Sequence, residues 1–332
     1  MGDRFETAGT GRPGAGAEPA RRLAAHVAAD PLQPGLYLVA TPIGAARDIT
    51  LRALDVLNSA DLLAAEDTRV MRHLMDIHGI PLRGRRVLAY HDHNADRARP
   101  ALLAALGEGA SIAYASDAGT PLVADPGYRL ARDAAEAGAR VHAVPGASAA
   151  LAALSLSGLP SDRFLFAGFP PSTRAARATW LRRWGGLDAT VILFESPRRV
   201  NQTLTELCEI DPNRVIVVAR ELTKKFEEVI RGTAAALAAE PRMAALKGEV
   251  VMLLDRPTPA IADAGTVRAA LLARRGQMTL KDAAREVARD LGLPRRDVYQ
   301  AALALEAGGE DDHGRDRAPA CRDGSGQDSS RG

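Results

Sequence analysis

The stretch SDAGTPLVADPG, residues 116–127, combines two aspartates, two glycines and two prolines. Before it, the apolar run Ser111–Ala115 predicts a buried strand of a parallel sheet, and after it residues 128–137 have a helical pattern. In an open α/β sheet, a loop that leads from a strand to a helix lies at the carboxyl edge, where ligands bind. Glycine and proline are also common in plain turns, so the stretch alone leaves a purely structural connection open.

The same strand-to-helix pattern repeats on both sides of this stretch. Apolar runs predict strands at residues 35–40, 61–65, 86–90, 111–115 and 141–144. Helical patterns follow at residues 51–59, 70–78, 100–106 and 128–137, with one more helix ending at residue 157. Thr50 is the predicted N-cap of the first of these helices. The alternation and the mostly continuous apolar strands predict a parallel sheet covered by helices.

The pattern changes after Gly158. Strands are predicted at residues 163–169, 190–194, 214–220, 226–232 and 249–254, and two helices lie among them. Because only residues 221–225 separate two of these strands, we predict a hairpin and therefore a mixed sheet in this half.

The predicted fold class is α/β, with two α/β domains and a small C-terminal helical unit. The predicted boundaries are a disordered leader at 1–34, an N-terminal domain with a parallel sheet at 35–147, a C-terminal domain with a mixed sheet at 148–256, a helical unit at 264–308 and a disordered tail at 309–332. In the helical unit, residues 292–294 separate two helices. This is the outline of a helix-turn-helix, although a plain three-helix bundle has the same pattern.

Composition narrows the class of protein. With 332 residues, 46% of them apolar and 25% charged, the sequence is typical of a soluble globular protein, and its net charge of +2 indicates no general attraction to nucleic acids or membranes. Cys208 and Cys321 form neither a metal motif nor a disulfide framework, which favours a reducing, cytoplasmic location. No apolar run approaches the roughly 18 residues of a membrane span, and the N-terminus lacks the core of a signal peptide.

Loops at strand ends are the candidate sites. Those of the first half lie at residues 41–49, 66–69, 91–94 and 116–127, and a fifth, 145–148, joins the two halves. Backbone amides in such loops can hold a nucleoside or a carboxylate. A P-loop and a nucleophile elbow are missing from the sequence, and the one G-x-G-x-x-G match, at residues 9–14, follows no strand.

Polar and charged residues in these loops each have two interpretations. His91 and His93 favour a rim that contacts substrate over a metal site, because no further ligand set accompanies them. Glu66, Asp67 and Arg69 can form a self-satisfied cluster that caps a helix, or can bind substrate. The charge run at residues 220–228 is either a solvated turn or, together with the arginines at 198 and 199, a surface for a phosphate backbone.

Six motifs in order resemble one family. They are residues 39–50, 65–69, 116–127, 145–149, 194–197 and 219–228. Over residues 35 to 308 the chain is similar to the family of bacterial ribosomal RNA small subunit methyltransferases I, in the tetrapyrrole methylase superfamily. Ala45 departs from the pattern, since that family usually has Asn there. Thr120 stands where tetrapyrrole methylases often have the Asp of a Gly-Asp-Pro signature, which argues against a corrin substrate.

The resemblance implies an enzyme that transfers a methyl group from S-adenosylmethionine to the 2′-hydroxyl of a cytidine in the decoding region of 16S rRNA. It also implies a homodimer whose partner is the small ribosomal subunit, with the cofactor in the cleft between the two α/β domains. The cofactor-binding residues carried over are Pro42, Gly44, Asp117, Gly119, Thr120, Pro121, Val123, Gly146, Ala147, Ser148, Ala149, Phe194, Glu195 and Ser196.

A ribose hydroxyl is a poor nucleophile, so we expect a proton acceptor, and the sequence leaves Glu66, Asp67 and Glu228 as candidates. The predicted substrate contacts are Arg69, His91, Arg198, Lys224 and Lys225. Changing both lysines to Ala is expected to weaken RNA binding and flatten its salt dependence, with cofactor affinity intact. Two alternatives stay open: a methyltransferase for a tetrapyrrole or another small molecule, and a helix-turn-helix regulator whose α/β region senses a ligand.

Overall fold

The computed structural model describes residues 30–123, 127–257, 264–274 and 276–310, with side chains up to residue 305. The chain divides into two compact units, the first ending at Pro257. The predicted leader lies outside the described residues up to residue 29, and the predicted tail does so from residue 311. None of the helices in the described ranges is long and apolar enough to cross a membrane.

Five parallel strands form the first sheet, in the order β3-β2-β4-β1-β5. They are β1 (Gly35–Val39), β2 (Leu62–Ala65), β3 (Val87–Ala89), β4 (Ser111–Ala115) and β5 (Val141–Val144). The helices are α1 (Leu51–Ser59), α2 (Thr68–Ile77), α3 (Ala95–Gly107) and α4 (Tyr128–Glu136), with a 3₁₀ turn at Ala46–Asp48. Apolar cores lie on both faces, so the central strand β4 is buried along its whole length. Because the strands are parallel, their following loops meet at one edge.

The second sheet is mixed, in the order β6-β7-β10-β8-β9. Its strands are β6 (Phe164–Gly168), β7 (Thr190–Glu195), β8 (Val215–Arg220), β9 (Glu228–Thr233) and β10 (Val250–Leu254). Only β6 and β7 pair in parallel. The helices are α5 (Ala149–Ser157), α6 (Arg174–Gly185), α7 (Val200–Ile210) and α8 (Ala234–Ala238), and a 3₁₀ turn covers Pro241–Ala244. The small side chains of α5 pack on one face of this sheet, and an apolar core that includes residues of α6, α7 and α8 lies on the other.

The second unit contains three described helices, α9 (Ala264–Leu272), α10 (Leu280–Leu291) and α11 (Arg295–Glu310). Their shared core includes Val267, Val287 and Val298. Gly292 ends α10 in the left-handed conformation, with a φ of 64°, which glycine adopts without strain.

The predicted fold class is confirmed: an all-parallel sheet, a mixed sheet that contains the β8–β9 hairpin, and C-terminal helices. The predicted start of α3 at Pro100 was wrong, since the helix begins at Ala95. Asn94 closes the preceding loop, where its side-chain amide donates to the Ala89 carbonyl at 2.9 Å and its side-chain oxygen accepts from the His91 amide at 2.8 Å. The helix therefore begins five residues before Pro100, and the proline lies inside the helix.

Candidate functional site

A cavity of about 400 Å³ lies between the loops at the carboxyl edge of the first sheet and one end of the second sheet. This volume is within the range of small-molecule sites. What we call the first wall consists of Ile43, Ala118, Gly119, Thr120, Val123, Ser148 and Ala149. The second wall consists of Phe169, Phe194, Glu195, Ser196, Pro197, Arg199, Gly248, Glu249, Val250 and Val251.

The loops of the first wall are tied together by uncharged hydrogen bonds. Thr41 and Gly119 exchange two backbone bonds, of 2.9 and 3.0 Å. The Ser116 hydroxyl donates to the Gly119 carbonyl at 3.0 Å, and the Thr120 hydroxyl donates to the Ala147 carbonyl at 2.9 Å. Three loops that are distant in sequence thus form one continuous surface of main chain.

Two glycines allow this close approach. A Cβ at Gly146 would lie 2.9 Å from the Ala40 Cβ, so a larger residue would push the loop after β5 away from β1. A Cβ at Gly44 would lie 2.5 Å from Lys224 Cγ and 2.8 Å from the Leu222 carbonyl oxygen. Gly44 is therefore where the first loop contacts the β8–β9 loop of the second sheet.

The second wall is held by charged side chains. The Glu195 side chain is fully buried and accepts four hydrogen bonds: from the Ser196 amide at 2.7 Å, from the Thr203 hydroxyl at 2.8 Å, and from Arg199 Nε and Nη2 at 2.8 and 2.6 Å. Since the carboxylate is saturated by the protein, Glu195 serves to fix the loop after β7 and the start of α7. Glu195 can contact a ligand through its main-chain atoms.

A second charged cluster lies beside it in the β8–β9 loop. Lys224 Nζ contacts Glu221 at 3.1 Å and Glu249 at 3.2 Å, and the Lys224 side chain is largely buried. Glu221 also accepts from the Glu249 amide at 2.9 Å, which joins the loop to the start of β10. Glu221 and Thr223 have left-handed φ values of 51° and 62°, a strained backbone that the surrounding contacts maintain. Thr223 Oγ1 accepts from the Ala45 amide at 3.0 Å.

The carboxylates after β2 belong to a helix cap. Asp67 is the N-cap of α2, accepting from the Arg69 amide at 2.8 Å, and its carboxylate also pairs with the Arg69 guanidinium at 2.6 Å. The Arg69 side-chain hydrogen bond lowers the pKa of Asp67 to about 2. The Asp67 amide in turn donates to Asp117 at 2.9 Å, and Glu66 accepts weakly from the Asp117 amide at 3.4 Å.

The structure brings together part of the predicted cofactor set. Among the predicted residues, the cavity is lined by Gly119, Thr120, Val123, Ser148, Ala149, Phe194, Glu195 and Ser196. The others lie in the same loops without lining the cavity: Pro42, Gly44, Asp117, Pro121, Gly146 and Ala147. Thus the loops that contain the predicted cofactor residues converge on one cavity, although which atoms hold a ligand stays a prediction.

The predicted proton acceptors and substrate contacts lie outside the cavity lining. Glu228 is held between Arg220 and Arg242, each at 2.9 Å. Lys225 lies over the exposed Phe226 ring at 5.5 Å. The His91 and His93 rings are 6.0 Å apart, and no group of three or more His, Cys, Asp or Glu in the described ranges could hold a metal ion. Arg198 is exposed, between two residues that line the cavity.

Sequence reasoning missed the contribution of β10 and of Phe169. Residues 248–251 line the second wall because β10 runs antiparallel to β7, so its amino end meets the carboxyl end of β7. That direction depends on long-range pairing, which no local pattern reveals. Gly248-Glu249 before an apolar strand is a local signal, but it gives no indication of which sheet edge it reaches.

The comparisons with known proteins agree with this arrangement. Residues 35–238 match the family described as Tetrapyrrole (Corrin/Porphyrin) Methylases. The chain belongs to this family. Residues 259–306 match a second family, described as the RsmI C-terminal HTH domain. The two matches together cover both compact units of this tetrapyrrole methylase.

Two relatives are named Ribosomal RNA small subunit methyltransferase I. The protein of Mesorhizobium japonicum is 49% identical over 293 residues, which are 87% of this chain and 98% of that protein. The protein of Escherichia coli O157:H7 is 41% identical over 288 residues, or 84% of this chain and 98% of its own length. The chain therefore belongs to the ribosomal RNA small subunit methyltransferase I family, and it is a methyltransferase that depends on S-adenosylmethionine.

Solved structures share the fold at low sequence identity. The methyltransferase CobJ is 20% identical with a TM-score of 0.52, over 67% of this chain and 94% of that one. Diphthine synthase is 16% identical with a TM-score of 0.50, over 66% and 89% of the respective chains. These likenesses show the architecture alone.

The cavity fits S-adenosylmethionine in its chemistry. Ile43, Val123, Val250 and Val251 provide apolar surface for an adenosine, while the main chain of the first wall supplies uncharged polar groups. Five charged residues belong to or border the second wall, namely Glu195, Arg199, Glu221, Lys224 and Glu249. Of these residues only Glu195, Arg199 and Glu249 line the cavity itself, and with two carboxylates and one cation their formal charge is −1, which suits a cationic sulfonium.

Proposed function

We propose that this protein transfers the methyl group of S-adenosylmethionine to the 2′-hydroxyl of a cytidine in the decoding region of 16S rRNA. The observation that carries the proposal is the similarity to proteins named Ribosomal RNA small subunit methyltransferase I, which extends over 87% of the chain and both compact units. The substrate is thus small-subunit rRNA, and the nucleotide and ribose position are the finer part of the proposal.

The chain's part in the reaction is mainly positioning. The cofactor supplies a methyl group that is already activated on a sulfonium, so the protein must hold a ribose oxygen in line with it. We assign the first wall, with Gly119 and Thr120, and the backbone of residues 194–196 to cofactor binding. These are the places where main chain and small side chains line the cavity.

Two carboxylates are our candidates for the proton acceptor. Asp67 is a weak candidate, because Arg69 holds its pKa at about 2, and Glu228 is engaged by two arginines. Glu66 remains from the sequence-based set. Glu249 joins it: it pairs with Lys224 at 3.2 Å, but unlike Glu228 it lines the cavity, and its side chain is 62% exposed. A carboxylate in either place would accept the hydroxyl proton as the methyl group moves to oxygen.

The RNA contacts we propose are Arg198, Lys225 and, at the edge of the first sheet, Arg69 and His91. Lys224 differs from its neighbour, because it is paired with two glutamates and packs over Gly44. We therefore expect Lys225→Ala to reduce the salt slope of RNA binding by about 1. Lys224→Ala should also weaken cofactor binding, since it removes the contact with Gly44. This replaces the expectation from the sequence that cofactor affinity stays intact when both lysines are changed.

The experiment that tests the function measures methyl incorporation from labelled S-adenosylmethionine into small ribosomal subunits from a strain that lacks the gene. Mass spectrometry then identifies the nucleotide and sugar position. A 2′-O-methylcytidine in the decoding region is the expected product. Cofactor binding without RNA methylation, but with turnover of a small-molecule acceptor, would favour the small-molecule alternative. A chain shortened to residues 1–256, which lacks the helix-turn-helix, tests the regulator alternative. Methyl transfer by this shortened chain would contradict the regulator alternative.

We also propose a homodimer that uses the free edge of the first sheet. Strand β5 is an edge strand with Val141 exposed, and on α5, which packs on the second sheet, Leu151 and Leu156 are 52% and 41% exposed. An open strand edge and exposed apolar side chains each favour contact with a second copy. Light scattering on the wild type and on Leu156→Glu tests this, with a dimer expected for the first and a shift toward monomer for the second.

A further inference from the structure

Phe169 is an exposed aromatic residue at the cavity to which the proposed function gives no role. It is 57% exposed although it lines the second wall. It follows β6 in the sequence Gly168-Phe169-Pro170-Pro171. The pairing of β6 with β7 shifts register between Phe166 and Gly168, and Gly168 has a φ of 77°. Such irregularities redirect side chains and are frequent next to active sites.

The ring is held in place from behind. Phe194 meets Phe169 edge to face, with ring centroids 5.5 Å apart, and Phe166 meets Phe194 in the same way at 4.8 Å. Arg199 Nη2 donates to the Pro170 carbonyl at 3.3 Å, and Arg199 is itself fixed by Glu195. Two prolines restrict the chain that follows. The exposed ring is thus preorganised, which reduces the entropy lost when a ligand stacks on it.

The loop that supports the ring also carries an unpaired cation. Arg198 is exposed and, within the described residues, has no hydrogen-bond or ion-pair partner. Its neighbours Pro197 and Arg199 line the same wall as Phe169, and Arg199 bonds to the residue after Phe169. An exposed aromatic face and an unpaired arginine on the same side of a cavity are together suited to binding an unpaired base and a phosphate of its backbone.

We propose that Phe169 is the platform on which the base of the methylated nucleotide stacks, with Arg198 neutralising an adjacent phosphate. The proposal rests on the proposed function and deepens it, because it names the element that takes the target nucleotide out of its stack. A base on Phe169 places its ribose at the mouth of the cavity, toward the cofactor-binding walls. Stacking is tolerant of base identity, so Phe169 positions the nucleotide while other contacts select cytosine.

The test uses the full chain as wild type, Phe169→Ala, Phe169→Trp and a control, Phe164→Ala. Phe164 is also exposed and is the first residue of β6, the strand that precedes Phe169, but it does not line the cavity. Three quantities are measured: the dissociation constant for S-adenosylmethionine, the concentration of small subunits that half-saturates methyl transfer, and the fluorescence of an RNA oligonucleotide with pyrrolocytosine at the target position.

For Phe169→Ala we expect the half-saturating concentration of small subunits to rise about 5- to 100-fold, as for loss of one stacked base. Cofactor affinity should be unchanged, which also shows that the variant is folded. The quenching of pyrrolocytosine seen with wild type should be lost in Phe169→Ala and kept in Phe169→Trp. Phe164→Ala should match the wild type in all three measurements. A separate salt titration of RNA binding tests Arg198. In it, Arg198→Ala should reduce the salt slope by about 1.

Two results would overturn the inference while leaving the proposed function standing. One is weaker cofactor binding by Phe169→Ala with unchanged RNA saturation, which would assign the ring to the cofactor. The other is an unchanged half-saturating concentration and unchanged quenching in Phe169→Ala. A wild-type protein that binds the cofactor but methylates no RNA would overturn the proposed function itself, and the stacking role with it.

Discussion

The two walls of the cavity are built by different chemistry. The first wall is closed by uncharged hydrogen bonds between loops, such as Thr120 to the Ala147 carbonyl and the backbone pair of Thr41 and Gly119. The second wall is closed by buried or half-buried ions, centred on Glu195 with Arg199 and on Lys224 with its two glutamates.

This difference has a physical consequence. Each uncharged bond contributes about 1 kcal/mol and is insensitive to pH and salt. Removing one member of a buried ion pair destabilises the protein several times more, because the remaining charged group is left buried without a partner. Single substitutions in the first wall should therefore each lower the free energy of unfolding by a small amount. In the second wall, substitution of Glu195 alone should lower it by several kcal/mol.

The largest expected effect is that of Glu195→Ala. It leaves the Thr203 hydroxyl, the Ser196 amide and the Arg199 guanidinium without their acceptor in a buried place. We expect a loss of about 3–5 kcal/mol in the free energy of unfolding, measured by urea denaturation. Glu209→Ala is the control, because Glu209 pairs with Arg174 at 2.7 Å on the surface and should lose less than about 1 kcal/mol. Equal losses in the two variants would mean that burial of the Glu195 cluster does not increase its contribution, and the second wall would then not differ from the first in this way.

Gly44→Ala tests the contact between the walls. The new Cβ would lie 2.8 Å from the Leu222 carbonyl oxygen and 2.5 Å from Lys224 Cγ, so the β8–β9 loop must move. Overpacking of this kind destabilises by about 1–3 kcal/mol, and we expect weaker cofactor binding in calorimetry as well. Gly107→Ala is the matched control, since a Cβ there meets nothing within 4 Å. Cofactor affinity equal to that of wild type would mean that the two loops are not coupled.

The same contrast explains how much the sequence could predict. The loops of the first wall follow strands of a parallel sheet, so their convergence at one edge follows from the alternation of apolar runs and helical patterns. Thr50 was correctly predicted as an N-cap because its signal is local, and its hydroxyl accepts from the Ala53 amide at 3.2 Å.

The second wall could be predicted only in part. Glu195 and Arg199 are four residues apart, but whether the carboxylate faces a ligand or the core depends on the burial of Thr203. Glu249 and Lys224 are 25 residues apart and meet only because β10 enters the sheet between β7 and β8. Phe169 was passed over because an exposed aromatic at the end of a strand differs in no local feature from a buried one.

Thr120→Val is expected to have a smaller effect. Valine keeps the shape but removes the donor to the Ala147 carbonyl, so the loss should be about 0.5–1.5 kcal/mol in unfolding experiments. Because this bond joins the central loop to the loop after β5, cofactor affinity should fall by a comparable free energy. Thr179→Val, at an exposed hydroxyl on α6, is the control and should retain wild-type cofactor affinity. A loss as large as that of Glu195→Ala would contradict the graded behaviour expected of the first wall.

The smallest expected effect is that of Asp67→Asn, and it should depend on pH. The pKa of Asp67 is lowered from 3.8 to about 2 in the folded protein, mainly by the Arg69 side chain. A lowered folded pKa stabilises the protein above the unfolded value and loses that contribution as pH falls from about 4 to about 2. Arg69 is 71% exposed, so the contribution should be only about 0.5–1 kcal/mol.

Asn is as good an N-cap as Asp, so the substitution removes the charge and keeps the cap. The difference in urea midpoint between wild type and Asp67→Asn should therefore be present at pH 6, shrink as pH falls from about 4 to about 2, and vanish below the folded pKa. Asp96→Asn, at an 80% exposed carboxylate that also pairs with an arginine, should show a smaller difference at pH 6. A difference that persists unchanged at pH 2 would mean that Asp67 acts through its cap geometry and not through its charge.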